Sequence, residues 1–388
     1  MVMAGPMEGV RVVELGVWVA GPAAAGILAD WGAEVIKIEP PTGDPARMFG
    51  RMLSIEDGGS PPFEMDNRGK RSVVLDLTTD EHRGVALEML DGADVFITNV
   101  RPGALRRIGL DFETVAARNP RLVYGLITGY GEAGPDADRA AYDVAAFWSR
   151  AGLAHLLTRP GESPPFQRGG MGDHAAAMTL VAAISAALVA RSRTGVGQLV
   201  STSLYRQGAY TVSFDLNTFL MTGHAIAIGE RESMGNPCMN NYTAGDGKRF
   251  WIVGLDVERH WAPLCRVVNR PDWLTTYPKP RDRASNSVEI ISALDEIFAT
   301  RTLDEWAELF AAERDFFWSP INTIEDVIAD DQFHAAGGVV YVPEGDSSVP
   351  MVATPADFHG TPSATRSTAP AIGEHTDEVL AELRSRRA

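Results

Sequence analysis

The sequence predicts an α/β fold, a parallel sheet wrapped by helices, followed by a smaller α+β domain. Three observations carry that expectation. Apolar β-type runs alternate with helical patterns through the first half, as in strands joined by helical crossovers. After about residue 225 this alternation gives way to a hairpin signal and amphipathic helices. The chain has 388 residues, enough for two domains. The division expected is a large domain over 1–225, rejoined by about 326–388, and a small domain over 226–325.

Taken in order, "VRVVELG" (10–16) is strand one, "GPAAAGILADWG" (21–32) a helix and "EVIKIEP" (34–40) strand two. "KRSVVLDL" (70–77) is a third strand, followed by a helix from Thr79 to about Leu90. "DVFITNV" (94–100) and "LVYGLITGY" (122–130) are apolar strands ending in polar or glycine residues. Ligands of open α/β sheets gather at such carboxyl ends. An alanine-rich helix covers 174–191, "QLVSTSL" (198–204) is a strand, and a helix runs from Arg206 to Met221. "NYTAGDGKRFWIVGL" (241–255) has the composition of an antiparallel hairpin around Gly245-Asp246-Gly247. Helices follow near 257–268, 287–299 and 303–312, the last opened by a capping box of Thr302 and Glu305. Strand-like runs return at 337–342 and 349–355, and 360–376 is a loop, ordered only if it packs on something.

Composition narrows the function. A formal net charge of −16 argues against a nucleic-acid partner, which needs a basic face, but leaves room for an anionic cofactor on a local cluster. Cys238 and Cys265 cannot frame a disulfide scaffold and lack metal-ligand spacing, which fits a reducing compartment. The N-terminal stretch lacks a basic segment before an apolar core, so no secretory signal is expected. With no run of about 18 consecutive apolar residues, no membrane span is expected either, and the location expected is the cytoplasm.

One stretch stands out. "GGMGDHAAAM" (169–178) sets a lone carboxylate, Asp173, among three glycines at the start of a helix with almost no other charge. Two readings are open. Asp is a favoured N-cap, although a capping box would want Glu or Gln where Ala176 stands. Alternatively, the glycines let a ligand approach a helix start that favours anions.

Other constellations are weaker. Glycines 16, 21 and 26 with Glu39 outline a nicotinamide site, but their spacing is not G-x-G-x-x-G, and Trp18 and Val19 fill the phosphate turn. The eight histidines show no zinc spacing, and His174 points away from Asp173 on a helix, so no metal is expected. In "TNVRPGALRRIGLDFE" (98–113), Arg101, Arg106 and Arg107 cluster where a strand passes into a helix. That suits a phosphate, or simply a solvated basic face.

Five segments in order resemble class III coenzyme A transferases of the CaiB/BaiF type, the family that also holds the 2-methylacyl-CoA racemases. They are "GVRVVELGVWVAGPAAAGILADWGAEVIKIEPPTGD", "NRGKRSVVLDL", "ITNVRPGALRRIGLDFE", "ITGYGEAGP" and "GDHAAAM". The resemblance runs from Gly9 to about Thr222, weakens through the small domain and returns at "TIEDVIADDQF" (323–333). It implies a Rossmann-like large domain, a small domain reached by linkers, and a homodimer whose subunits interlock like links of a chain. It also implies a role for Asp173 as the aspartate that becomes covalently acylated while CoA moves between carboxylic acids. The helix start would then supply N–H donors to the oxyanions.

By the same resemblance, Val19 and Ala20 meet the adenine and pantetheine region of CoA, and Leu75 and Leu77 flank the nucleotide. Asn99, Val100 and Arg107 match a CoA-contacting "N-x-x-P-G-x-x-x-R" segment, Arg47 matches a phosphate-side arginine, and Tyr142 falls where the racemases carry His. Three departures matter. Val19 replaces a glutamine of the formyl-CoA enzymes, so oxalate is not the expected substrate. The segment 229–241 is poor in glycine where some members carry a glycine-rich loop. "AYD" (141–143) replaces the racemases' "G-H-D". The alternatives are therefore a racemase, and an acyl-CoA-binding protein without turnover. Trp18, Phe147 and Trp148 hint at a bulky or aromatic acyl group.

Overall fold

The computed structural model describes residues 5–55, 59–226 and 229–387. They form two compact units. One ends at Gly223 and resumes at Gly337, and the other runs His224–Ala336. The first unit resumes at Gly337 rather than near 326 because the short helices Ile324–Ala329 and Asp331–Ala335 belong to the second.

Six strands build the first unit's sheet: β1 (Arg11–Leu15), β2 (Glu34–Glu39), β3 (Arg71–Val74), β4 (Val95–Thr98), β5 (Val123–Thr128) and β6 (Leu199–Ser203). Their order is β3-β2-β1-β4-β5-β6 and every pairing is parallel. The strands read as near-continuous apolar runs because both faces are covered. The helices Ala20–Asp30 and Met171–Thr194 share one core with Val12, Val95 and Val123. On the other face, residues of the helices Asp80–Asp91 and Thr376–Arg387 pack with Val13, Phe96 and Tyr124. The chain order reverses direction between β1 and β4, and the crevice beyond such a switch point is where open sheets bind ligands.

Two helices deserve their sequences. All of Ala20–Asp30 is buried, and its small residues allow that: a Cβ on Gly26 would sit 2.6 Å from the Asp66 carbonyl oxygen. Met171–Thr194 is long and apolar enough to cross a membrane by length and composition. Part of its apolar surface packs on the sheet, with Leu180 and Ile184 lying directly over Gly125 of β5.

The expected helix from Arg206 to Met221 is two helices, Leu204–Thr211 and Ser213–Thr222, broken at Val212. The strand-like runs near 337–355 form a separate antiparallel hairpin, β10 (Val339–Glu344) with β11 (Ser347–Val352), and do not extend the parallel sheet. The tail is ordered by packing: Arg366 donates to the Gly32 and Ala33 carbonyls, and Gly373 N–H donates to Ser72.

The second unit holds the antiparallel sheet β7 (Met239–Thr243), β8 (Arg249–Val253) and β9 (Trp318–Pro320). Phe250, Phe298 and Phe310 form its aromatic centre, and the Thr302–Glu305 capping box opens the helix Leu303–Ala312.

Candidate active site

At the switch point a cleft of about 500 Å³ opens beyond the carboxyl ends of β1, β4 and β5. Val17–Ala20, Asn99–Arg101, Thr128, Tyr142 and Asp173 are among its lining residues. The cleft thus brings together Val19, Ala20, Asn99, Val100, Tyr142 and Asp173. It does not include Arg47, Leu75, Leu77 or Arg107 in its lining.

The loop after β1 is clamped from below. Asn99 Oδ1 accepts the Val17 N–H at 3.0 Å and Asn99 Nδ2 donates to the Val17 carbonyl at 2.7 Å, so this carboxamide locks the loop. Asp44 Oδ1 accepts the Trp18 N–H at 3.0 Å, and Lys37 Nζ donates to the Gly16 carbonyl at 3.1 Å. Lys37 also meets Glu14 and Asp44, while Lys70 meets Glu14, Asn67 and the Pro22 carbonyl. Glu14, Lys37 and Lys70 are buried. Burial pushes the Glu14 carboxyl upward, but the two lysines outweigh it and hold it below its usual range. Burial, aided by the Lys37 charge, pulls Lys70 down to about 8.

Asp173 sits in the first turn of its helix, yet it does not cap it. The N-cap is Gly170, in the left-handed region at φ 75°. The carboxylate of Asp143 accepts the Gly172 N–H at 3.2 Å. The Met171 and His174 N–H groups go to the Arg168 and Gly170 carbonyls. Three of the first-turn donors, those of Met171, Gly172 and His174, are therefore already taken within the fold. The role of Gly172 differs from expectation. A Cβ there would meet the Phe147 ring at 2.4 Å, so packing against the π-helix Val144–Arg150, rather than a ligand, takes the space.

What remains is a half-buried carboxylate with no side-chain hydrogen bond among the described residues. Burial, then the like charges of Asp143 and Asp66, push Asp173 up to about 7, with His174 opposing. Asp143 is held by the Gly172 N–H and Gln167, and Asp66 by His174 Nε2 at 3.0 Å. The neighbouring acids are committed to the fold; Asp173 is not.

Several expected contacts find other employment. Arg47 makes a two-pronged pair with buried Glu39, donates to the Pro370 carbonyl and stacks on Phe63, so it does not offer a phosphate site. Glu39 also accepts from Asp44 N and Ser72 Oγ, which removes it as a ribose acid. Leu75 is core, and Leu77 packs beside it. Arg107 lies exposed on the helix Pro102–Ile108, while Arg101 at the N-cap of that helix lines the cleft. Phe147 and Trp148 are core residues. Sequence reasoning missed Asp143, although "AYD" held it beside Tyr142.

A doubly wound parallel sheet with a ligand crevice at its switch point places the chain in the nucleotide-binding class of α/β folds. The chain belongs to CoA-transferase family III, whose sequence profile it matches over residues 7–376. It is 33% identical to the cinnamoyl-CoA:phenyllactate CoA-transferase of Clostridium sporogenes, over 97% of this chain and 93% of that one. It is 34% identical to the succinate–glutarate CoA-transferase of Agrobacterium fabrum, over 97% and 96%. A CaiB/BaiF family crystal structure from Brucella suis superposes with a TM-score of 0.86 at 31% identity, over 98% of this chain and all of that one (100%). The protein is a CoA-transferase; relatives this similar act on different acids.

Proposed function

We propose that this enzyme moves coenzyme A from an acyl-CoA to a carboxylic acid through covalent chemistry at Asp173. The observation that carries the reading is the bare Asp173 carboxylate facing the switch-point cleft, beside acids that are all hydrogen-bonded elsewhere. Attack of the ionised carboxylate on the thioester carbonyl breaks the C–S bond and leaves an aspartyl–acyl anhydride with CoA thiolate. The thiolate attacks the aspartyl carbonyl, releasing the first acid as its anion and leaving Asp173 as a CoA thioester. The acceptor carboxylate attacks that thioester, regenerating the thiolate and a second anhydride. Thiolate attack on the acceptor's acyl carbon then frees Asp173. Every nucleophile is already an anion, so no general base is required.

Val19 and Ala20 line the nucleotide side of the cleft in this reading, with Val100 and Tyr142 along the pantetheine path and Arg107 reaching a phosphate. Asn99 acts through the Val17 backbone it holds. Epimerisation at Cα would need a second proton carrier, and the phenol of Tyr142, standing where the racemases carry an imidazole, is poorly suited to that task. The working form is an interlocked homodimer. In support, the helix Ser213–Thr222 buries none of its residues and exposes Phe214, Phe219, Leu220 and Met221, an apolar face of the kind that marks an interface.

Incubation with an acyl-CoA and no acceptor tests the chemistry. Hydroxylamine should convert the intermediate to an aspartyl hydroxamate in the peptide containing Asp173, and a label confined to another residue would overturn the reading. The dimer should persist on dilution, and a folded monomer at nanomolar concentration would refute it.

A further inference from the structure

The geometry points to Trp18 as the residue that sets acyl specificity, favouring aryl and other broad apolar acyl groups over short dicarboxylic ones. This rests on the transferase reading of the Asp173 cleft. Trp18 follows β1 and lines that cleft together with Asp173. Its backbone lies in the left-handed region at φ 65°, which strains a bulky side chain and which glycine would adopt freely. The loop holds that conformation through bonds to Asn99, Asp44 and Lys37, all made to the backbone. None of those bonds needs an indole. What the strained position retains is therefore the side chain itself.

The indole does not act as core filler. It is half-buried, whereas Phe147 and Trp148 are 2% and 6% exposed and serve packing. It meets the Tyr142 ring edge-on at 5.9 Å and Phe49 at 5.5 Å, so Phe49 backs the wall and Trp18 with Tyr142 presents it. Val17, Val19, Ala141, Ala145 and Leu204 continue the lining. An aryl group gains stacking and apolar burial on such a wall. A distal carboxylate laid against the ring faces would lose water without a cation in the wall to pair with, and would have to turn toward Arg101 elsewhere in the lining.

The test compares single-turnover acylation of the full-length enzyme by 3-phenylpropanoyl-CoA and succinyl-CoA, read by intact mass, for wild type, Trp18→Gly and Trp18→Phe. Wild type should favour the aryl thioester. Trp18→Gly should lower the aryl-to-succinyl rate ratio by about tenfold or more, and Trp18→Phe by no more than about threefold. The melting temperature of Trp18→Gly should equal or exceed that of wild type, since glycine relieves the strain. A wild type that prefers succinyl-CoA, an unchanged ratio in Trp18→Gly, or a destabilised or unfolded Trp18→Gly protein would each overturn the proposal. Wild type acylated by neither thioester would instead fail at the nucleophile, and the transferase reading would fall with it.

Discussion

The Asp143 carboxylate accepts the Gly172 N–H at 3.2 Å, so one acid caps the helix start and the other, Asp173, is left bare. The two carboxylates divide the work. Asp143 satisfies a first-turn donor that would otherwise draw the Asp173 side chain back onto its own helix. It also places a like charge beside Asp173, which adds to burial in raising it.

That coupling predicts a pH effect. Asp173 attacks only when ionised, so acylation should rise with pH through about 7 and then level off. Asp143→Asn keeps an oxygen for the Gly172 N–H but removes the charge. The acid limb of the single-turnover rate should then move to lower pH. An unmoved limb would show that burial alone sets the Asp173 ionisation.

Two arginines that the family resemblance assigns to CoA should separate on mutation. Arg107→Ala leaves the packing intact, because the side chain is exposed, and should raise KM for acyl-CoA more than it lowers kcat. Arg47→Ala strands the buried Glu39 carboxylate and should cost about 3 kcal/mol of stability by urea denaturation. Equal effects of both substitutions on KM would contradict this division.

The contrast shows what was legible beforehand. Strands β1 to β6 follow from apolar runs bounded by turn residues, and their crossovers from the helical patterns between them. Asp173 stood out because a charge is rare in so apolar a helix. Its bareness was not legible, since the cap comes from Asp143, thirty positions earlier in the chain and folded back across the helix start. Arg47 misled for the same reason. A motif gives an arginine's place along the chain, but its partner Glu39 is set by how β2 meets the following turn. The break at Val212 was hidden because no proline or glycine stands at that position.

The buried network beneath the cleft gives a third expectation. Lys37 joins Glu14, Asp44 and the Gly16 carbonyl with no exposure to solvent. Lys37→Met would leave Asp44 and the Gly16 carbonyl without their buried partner, and Glu14 with Lys70 alone. A loss of roughly 3–5 kcal/mol is expected in chemical denaturation. A stability within about 1 kcal/mol of wild type would mean that water or rearrangement satisfies these groups.

Asp173→Asn separates a cap from a catalyst by stability as well as by activity. The folded carboxyl is pushed up to about 7, from an ordinary value of 3.8. Between those values the folded protein holds a proton that the unfolded chain has released, so this group's contribution to stability falls as pH rises through the window. At pH 8 the native state carries a half-buried charge beside Asp143, and asparagine removes it at nearly constant volume. The variant should therefore melt above wild type at pH 8, with the gap closing toward pH 4, while acyl-enzyme formation and CoA transfer disappear. A capping aspartate would behave in the opposite way. Its replacement would lower stability by about 1 kcal/mol or less and leave transfer near normal. A less stable, fully active Asp173→Asn enzyme at pH 8 would thus return this carboxylate to a structural role.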